Sequence, residues 1–261
     1  MTIEATKPII GRTPAERITT SAGRVYTWGD ESFPSVTTIL GGGIPKPALV
    51  PWAIRSVAEA AVAMTRTGQL AALLNASPDA ALAKLKSAPY DQRDKAATLG
   101  SAVHEAAEAY ILGTPHVPSD PAVLPYLAQF HRFVEAEQPE YLAAECTVYH
   151  RACGYAGTLD AIVRLRGKTW IMDYKTGAGV YPEAALQLAA YRYAEFVGLP
   201  DGTETPLPEI DGALVLHLQK DGYRLIPVNA DNIAMGYFLD ARRIWEWVGE
   251  IGKGALQEAL S

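Results

Sequence analysis

Three short motifs in the middle of this chain carry side chains that could do chemistry. Gly157-Thr158-Leu159-Asp160 is followed after twelve residues by Asp173-Tyr174-Lys175, and a later segment holds Gln187 and Tyr191. Carboxylates held close together repel each other unless a cation lies between them, so Asp160 and Asp173 predict a site for a divalent metal. A lysine two residues from such an aspartate can polarise a water molecule or stabilise a developing oxyanion. The group is typical of a metal-dependent phosphodiesterase.

The two aspartates lie on segments that predict a β-hairpin. Residues 156–165 and 168–174 are rich in apolar and β-branched residues, and Arg166-Gly167-Lys168 forms a tight connection between them. Alternation along the second strand puts Asp173 and Lys175 on one face and Tyr174 on the other. Asp160 can face the same site if the register allows. The backbone carbonyl of Tyr174 is a further candidate ligand for a hard cation.

A helix is predicted after the hairpin, beginning at Pro182 and stopped by Gly198. Its apolar stripe at helical spacing extends to Val197. Gln187 and Tyr191 are four residues apart and therefore point the same way from an adjacent face. We expect one of them to orient groups near the metal and the other to contact a phosphate.

In their order and spacing these residues resemble the PD-(D/E)XK nuclease superfamily, in particular its RecB-like branch of phage exonucleases and CRISPR-adaptation nucleases. That branch carries a histidine on an upstream helix, then Gly-x-x-Asp, Asp-x-Lys and Gln-x-x-x-Tyr motifs, and all four occur here in order. The resemblance covers residues 97–230. It implies an α/β fold with a restriction-endonuclease-like core, in which a mixed sheet is flanked by helices, with helical additions at the N-terminus.

The resemblance also implies roles for individual residues. Mg²⁺ or Mn²⁺ would be bound by His104, Asp160, Asp173 and the Tyr174 carbonyl, with Glu145 as a further acidic candidate. Lys175 would be the catalytic lysine, assisted by Gln187 and Tyr191. By itself, a lone helical histidine such as His104 is more often a surface or core residue, and the segment His-Glu-Ala-Ala-Glu lacks the second histidine of a zinc-protease helix.

The implied activity is divalent-metal-dependent hydrolysis of DNA, by an exonuclease of phage or bacterial recombination or repair. The chain has no helicase motor, so a recombinase or single-strand annealing protein would be a separate partner. Two alternatives stay open, a structure-specific endonuclease and a non-catalytic nucleic-acid-binding module that retains the nuclease fold. RNA also stays open as a substrate.

Two cofactors are not expected. An iron–sulfur cluster of the kind found in some RecB-like nucleases needs four thiolates, whereas Cys146 and Cys153 are the two cysteines of the chain. Gly167-Lys168-Thr169 resembles the end of an ATP-binding P-loop, but Ile162 stands where the first glycine of that motif belongs. We therefore expect no ATP site.

Length and composition predict one nuclease domain over residues 1–261. We divide it into a mostly helical N-terminal elaboration (1–96), a catalytic core (97–230) and a C-terminal helix (231–261). The chain is 49% hydrophobic and 20% charged, which suffices for a substantial core. No apolar run approaches the roughly 18 residues of a membrane span, and Met1 to Ile10 lacks a secretory pattern. We therefore expect a cytoplasmic protein of a bacterium or phage-infected host, without membrane contact.

The net charge of −6 argues against a nucleic-acid substrate, because DNA-binding proteins usually present a basic face. The proposed metal site accounts for some of this charge. From Pro34 to Tyr110 the chain carries seven Lys and Arg residues against six acids, so we expect phosphate contacts in this helical part.

The remaining elements follow from periodicity and turn residues. Residues 1–22 are expected to be loosely ordered, and Gly41-Gly42-Gly43 to form a flexible connection. Beyond the hairpin and its helix, we expect strands at 24–28, 213–219 and 223–228, a meander over 141–175, and helices at 48–66, 78–86, 91–112, 121–137 and 231–250.

Overall fold

The computed structural model describes residues 11, 17–20, 23–114 and 116–257. The chain forms two compact units. One runs up to Ile44 and resumes at Ala102, and the other is Pro45–Ser101. Most of the expected loose segment 1–22 lies outside the described residues, but residues 17–20 form a strand. No described helix combines the length and apolar character needed to cross a membrane.

The described residues form ten strands. They are β1 (Arg17–Thr20), β2 (Gly23–Trp28), β3 (Glu31–Pro34), β4 (Glu140–His150), β5 (Tyr155–Leu165), β6 (Lys168–Lys175), β7 (Phe196–Gly198), β8 (Glu204–Thr205), β9 (Gly212–Leu218) and β10 (Tyr223–Val228).

The described residues also form seven α-helices. They are α1 (Val36–Gly43), α2 (Leu49–Arg66), α3 (Gln69–Ala76), α4 (Pro78–Ile111), α5 (Leu124–Glu137), α6 (Glu183–Arg192) and α7 (Asn232–Gly249). Side-chain caps fix two of their starts. Ser35 accepts from the Thr38 amide before α1, and Asp231 accepts from the Ile233 and Ala234 amides before α7.

The larger unit is built around a mixed seven-stranded sheet with the order β10-β9-β6-β5-β4-β7-β8. β4, β5 and β6 form an antiparallel meander, and β6 pairs with β9 in parallel. The chain crosses from β6 to β9 by way of α6. The predicted hairpin over 156–165 and 168–174 and the strand pair around Lys220-Asp221-Gly222 are both confirmed.

Helices cover both faces of this sheet, so the expectation of an α/β fold with a mixed sheet is confirmed. On one face α1, α6 and α7 close the main apolar core, which includes Leu159, Ile171, Val215, Leu188 and Phe238. On the other face lie α5 and the end of α4. There the Phe130 and His104 rings each meet the Tyr174 ring edge to face.

The helix predicted from Pro182 to Gly198 is shorter than expected. α6 ends at Arg192, and Val197 belongs to β7. Phe196 and Val197 pair with Tyr149 and Val148 of β4, and the Phe196 ring stacks on Tyr149 with a centroid distance of 5.3 Å. Aromatic and β-branched residues gain more from such cross-strand packing than from continuing a helix.

Two other local predictions were wrong. Gly41-Gly42-Gly43 is the last turn of α1, and a Cβ on Gly43 would collide with the Ala241 carbonyl of α7. The glycine is there for close helix packing and not for a hinge. The two helices expected at 78–86 and 91–112 are one helix, α4, with Pro89 inside it. The helix-forming residues on both sides outweigh the hydrogen bond that the proline removes.

Candidate active site

The candidate site lies where β5 and β6 separate. Their last paired residues at this end are Ala161 and Met172. Beyond this pair, a side-chain hydrogen bond takes the place of the backbone hydrogen bonds between the two strands. Asp160 Oδ2 accepts it from the Tyr174 amide at 2.6 Å. The splayed strands leave room for both aspartates of the sequence motifs. The sheet thus fixes the Asp160 carboxylate against the backbone of β6.

A distortion of β4 brings a third carboxylate to this point. β4 keeps its register with β5 around this point, since Ala144 pairs with Ala161 and Cys146 with Leu159, and the register shift of the strand lies earlier, between Tyr141 and Ala143. Between those two pairs, Glu145 has a φ of 49°, in the left-handed region. A side chain there costs on the order of 1–2 kcal/mol, which marks Glu145 as a position held by its surroundings.

His104 of α4 completes a group of possible metal ligands. Its Nδ1 lies 3.4 Å from Asp160 Oδ1 and 3.7 Å from Glu145 Oε1. One ligand atom from each of the three residues lies within 4.8 Å of the others. His104 Nε2 is 3.0 Å from the Tyr174 carbonyl oxygen. A carbonyl can only accept, so Nε2 carries the hydrogen and Nδ1 faces the carboxylates.

Asp173 lies beside this group and is bound to the lysine. Its side chain is almost fully buried, and its Oδ1 accepts from Lys175 Nζ at 2.7 Å. Its Oδ2 is buried with no hydrogen-bond partner among the residues that the structure describes. A buried carboxylate oxygen left without a partner is costly, and it can be satisfied by a cation or a water molecule.

Gln187 and Tyr191 lie on the same face of α6, as their spacing predicted. Lys175 Nζ lies 3.5 Å from Gln187 Oε1, a long hydrogen bond. Gln187 Nε2 in turn donates to the Tyr191 hydroxyl at 3.3 Å. The lysine amine is therefore in contact with α6 as well as with Asp173.

The charges of the ligand group are strongly coupled. Burial by itself would lower the pKa of His104, but Asp160 and Glu145 outweigh it and raise that pKa well above its usual range. Burial would raise the pKa of Asp160, yet His104 and Lys175 keep it below the usual value. In the metal-free protein, an imidazolium ion therefore lies among carboxylates that could hold a metal cation.

Burial dominates at the other two carboxylates. It raises the pKa of Asp173 to about 6, although Lys175 opposes the shift. It also raises the pKa of Glu145, against the effect of His104. Burial would lower the pKa of Lys175, but the carboxylates of Asp173 and Asp160 raise it overall. The lysine is therefore a cation at neutral pH.

The donor set fits a hard divalent cation. Carboxylate oxygens with one imidazole suit Mg²⁺ or Mn²⁺. Asp173, which the motifs predicted as a ligand, lies outside this three-residue group, although one of its oxygens has no partner among the described residues. The structure brings together His104, Glu145 and Asp160, although the sequence motifs indicated Glu145 only as a further candidate. Asp173 is bound to Lys175, and the Tyr174 carbonyl is hydrogen-bonded to His104.

One polar residue near the site was missed in the sequence. His217 is fully buried in the otherwise apolar strand β9, beside Lys175 in the parallel register. The signal was available, since a lone polar residue inside a buried apolar run needs a hydrogen-bonding partner.

Comparisons with known proteins give no family. No family model and no curated protein matches the chain. Among solved structures, the crystal structure of a protein named SSO0001 has a TM-score of 0.31 and 15% sequence identity, covering 60% of this chain and 71% of that one. A similarity this distant assigns neither family nor function.

Proposed function

We propose that this chain is a divalent-metal-dependent nuclease that hydrolyses phosphodiester bonds in DNA. The observation that carries the proposal is the gathering of His104, Glu145 and Asp160 where β5 and β6 separate, next to a lysine held by Asp173. A protein that only bound nucleic acid would gain nothing from burying these carboxylates, since they repel phosphate and are costly to desolvate.

The sheet supports assignment to the PD-(D/E)XK superfamily and its RecB-like branch. The meander β4-β5-β6 followed by α6 and a strand parallel to β6 carries the motifs in their expected order. The motif residues also contact one another, since His104 meets Asp160, Asp160 accepts from the Tyr174 amide, and Asp173 binds Lys175. Lys175 in turn reaches Gln187, which donates to Tyr191. Order along the chain and contact in space are independent observations.

Each residue would have a distinct part in hydrolysis. His104, Glu145 and Asp160 would hold Mg²⁺ or Mn²⁺, with the free oxygen of Asp173 beside them. The bound ion would supply a water of lowered pKa and neutralise charge at the scissile phosphate. Lys175 would orient the attacking water and offset the negative charge that grows on the phosphate oxygens. Asp173 and Gln187 keep the lysine amine in place for that role.

The resemblance favours an exonuclease that acts on linear ends in phage or bacterial recombination or repair, with a separate recombinase or annealing partner. An endonuclease that cuts branched or foreign DNA would use the same chemistry. The exonuclease needs a free DNA end, whereas the endonuclease does not.

The decisive experiment offers the protein end-labelled linear and closed circular double-stranded DNA with Mg²⁺, Mn²⁺ or EDTA. We expect metal-dependent loss of the linear DNA alone. Lys175→Ala should lower the rate on the order of 10² to 10³-fold, as the loss of one electrostatic group does. Asp221→Asn, at an exposed hairpin carboxylate, is the matched control and should cleave normally.

Cutting of the circle would make the protein an endonuclease. Absence of divalent-dependent cleavage on linear, circular, single-stranded and branched DNA and on RNA would refute the nuclease proposal in favour of a binding module. Full activity in Lys175→Ala would refute the role given to the lysine.

A further inference from the structure

Three polar residues stand in one row across three neighbouring strands. Lys175 of β6 pairs with His217 of β9, and His217 pairs with Arg224 of β10. Residues opposite each other in adjacent strands point to the same face of the sheet. Strands lie about 4.8 Å apart, so the Arg224 backbone is roughly 10 Å from that of the proposed catalytic lysine.

His217 fixes the arginine. Its Nε2 lies 2.7 Å from the Gly177 carbonyl oxygen, to which it must donate, and its Nδ1 lies 2.9 Å from Arg224 Nη2. Arginine only donates, so Nδ1 is the acceptor and the buried imidazole is neutral. The histidine thereby connects the loop after Lys175 to Arg224.

Arg224 differs from the other arginines on this sheet. Its side chain is exposed, and among the described residues it has no carboxylate partner. By contrast, Arg164 is bound by Glu140 and Arg166 by Glu137. A guanidinium has five N–H donors in a planar fork that matches phosphate oxygens, and an oriented one loses little entropy on binding.

The loop that follows Lys175 leaves open surface on the way to Arg224. Neither Gly177 nor Gly179 has a positive φ. A Cβ on Gly177 would meet its nearest atom at 3.9 Å, and one on Gly179 at 4.0 Å. The fold itself therefore does not require glycine at these positions. Because glycine has no Cβ, a ligand can approach the backbone closely at both positions.

We propose that Arg224, oriented by His217, binds a backbone phosphate of the nucleic acid next to the phosphate that is cleaved. The strand would pass over Gly177 and Gly179 to reach it. This inference rests on the proposed nuclease function, since it names a substrate contact of that site.

The test measures binding of a fluorescein-labelled DNA oligonucleotide by anisotropy, in Ca²⁺ and with gels to show that the DNA stays intact. Arg224→Gln should weaken binding about tenfold, as expected for loss of a charge-assisted contact. It should also reduce the slope of log Kd against log salt by about 0.7 to 0.9, the share of one phosphate contact. Arg164→Gln, on the same sheet but paired with Glu140, is the control and should match the wild type.

Two further variants separate charge from folding. Arg224→Lys keeps the charge and should restore the salt slope, while it recovers only part of the affinity. His217→Gln should weaken binding without changing the salt slope, because it loosens the arginine and leaves its charge. A merely structural role for Arg224 would instead lower the melting temperature and leave the salt slope unchanged.

The outcomes distinguish this inference from the function on which it rests. If the wild type cleaves DNA but Arg224→Gln binds with the same affinity and salt slope, the phosphate contact is refuted and the nuclease stands. If Arg224→Gln weakens binding to a protein that cleaves nothing, the contact stands and the nuclease is refuted. A wild type that neither binds nor cleaves refutes both.

Discussion

His104 and Asp173 hold their protons more tightly than the same residues would in an unfolded chain. The pKa of His104 lies well above 6.5, and that of Asp173 is about 6 against an ordinary 3.8. The protonated forms stabilise the folded metal-free protein. This stabilisation is complete at a pH below the pKa values that the two groups have in the unfolded chain. It is lost as the pH rises through their pKa values in the folded protein. Asp160 acts in the opposite direction, but its lowered pKa matters only below about pH 4.

We therefore predict that the protein in EDTA is less stable at pH 8 than at pH 5.5, as measured by thermal melting. Asp173→Asn should raise stability at pH 8 by about 1 to 3 kcal/mol, because the amide resembles the protonated acid and a pKa unit corresponds to about 1.4 kcal/mol. It should also flatten the pH dependence. Asp221→Asn serves as the control with unchanged behaviour.

Mn²⁺ should reverse this pH dependence of stability. The metal ion competes with the protons of the site, so it binds more tightly at a pH where His104 has lost its proton. The melting temperature with Mn²⁺ should rise most at pH 8. A melting temperature that increases from pH 5.5 to pH 8 in EDTA would contradict the assignment of these pKa shifts.

The sequence predicted which residues meet at the site better than how they meet. Alternation along β6 is enough to place Asp173 and Lys175 on one face, and the structure pairs them. The left-handed backbone of Glu145 could not be foreseen, because glutamate is not a residue type that favours positive φ. Its closeness to His104 depends on this backbone conformation and on the packing of the end of α4, which is distant in the sequence, against the sheet.

At the scale of elements, the contact between β5 and α6 sets the position of the Gln187–Tyr191 face. A Cβ added to Gly157 would lie 2.5 Å from Tyr191 Cε1. The glycine of the Gly-x-x-Asp motif thus lets α6 lie against β5 three residues before Asp160, which belongs to the group of candidate metal ligands. Its φ is not positive, so close approach and not backbone conformation explains it.

Gly157→Ala should displace Tyr191 and, through Gln187, the support of Lys175. We expect a loss of about 1 to 3 kcal/mol in unfolding free energy, typical of overpacking, and at least a tenfold loss in cleavage rate. Mn²⁺ affinity, measured by calorimetry, should change little, because the hydroxyl of Tyr191 is hydrogen-bonded to Gln187, which is not one of the three ligand residues. Gly222→Ala, where a Cβ meets nothing within 4 Å, is the control. An alanine variant that keeps the full rate would show that α6 does not position the lysine.

Elements with a strong period of their own were predicted, and those that depend on partners were not. The hairpins β5–β6 and β9–β10 follow from alternation and turn residues. β7 and β8 have three and two residues and exist through pairing with β4 and with each other. Strands this short carry no readable period, so the sequence assigned Val197 to the preceding helix.

For the whole molecule, burial is divided unequally between the two units. The main apolar core and the candidate site lie in the larger unit. In Pro45–Ser101 the buried residues are Ser56, Met64, Ala81 and Pro89, and α3 buries none of its residues. Local stability follows buried apolar contacts, so this helical unit should open at a lower free energy than the sheet.

Hydrogen exchange followed by mass spectrometry tests this difference. We predict that the amides of α2 and α3 exchange much faster than those of β5 and β6 in the metal-free protein. Mn²⁺ should then slow exchange around β4, β5 and β6, because Glu145, Asp160 and Asp173 lie on these strands. It should leave α2 and α3 unchanged, since no proposed ligand comes from that unit. Protection of α2 equal to that of β5 would show that the helical unit is as stable as the sheet. Slower exchange in α2 on adding Mn²⁺ would couple that unit to the metal site.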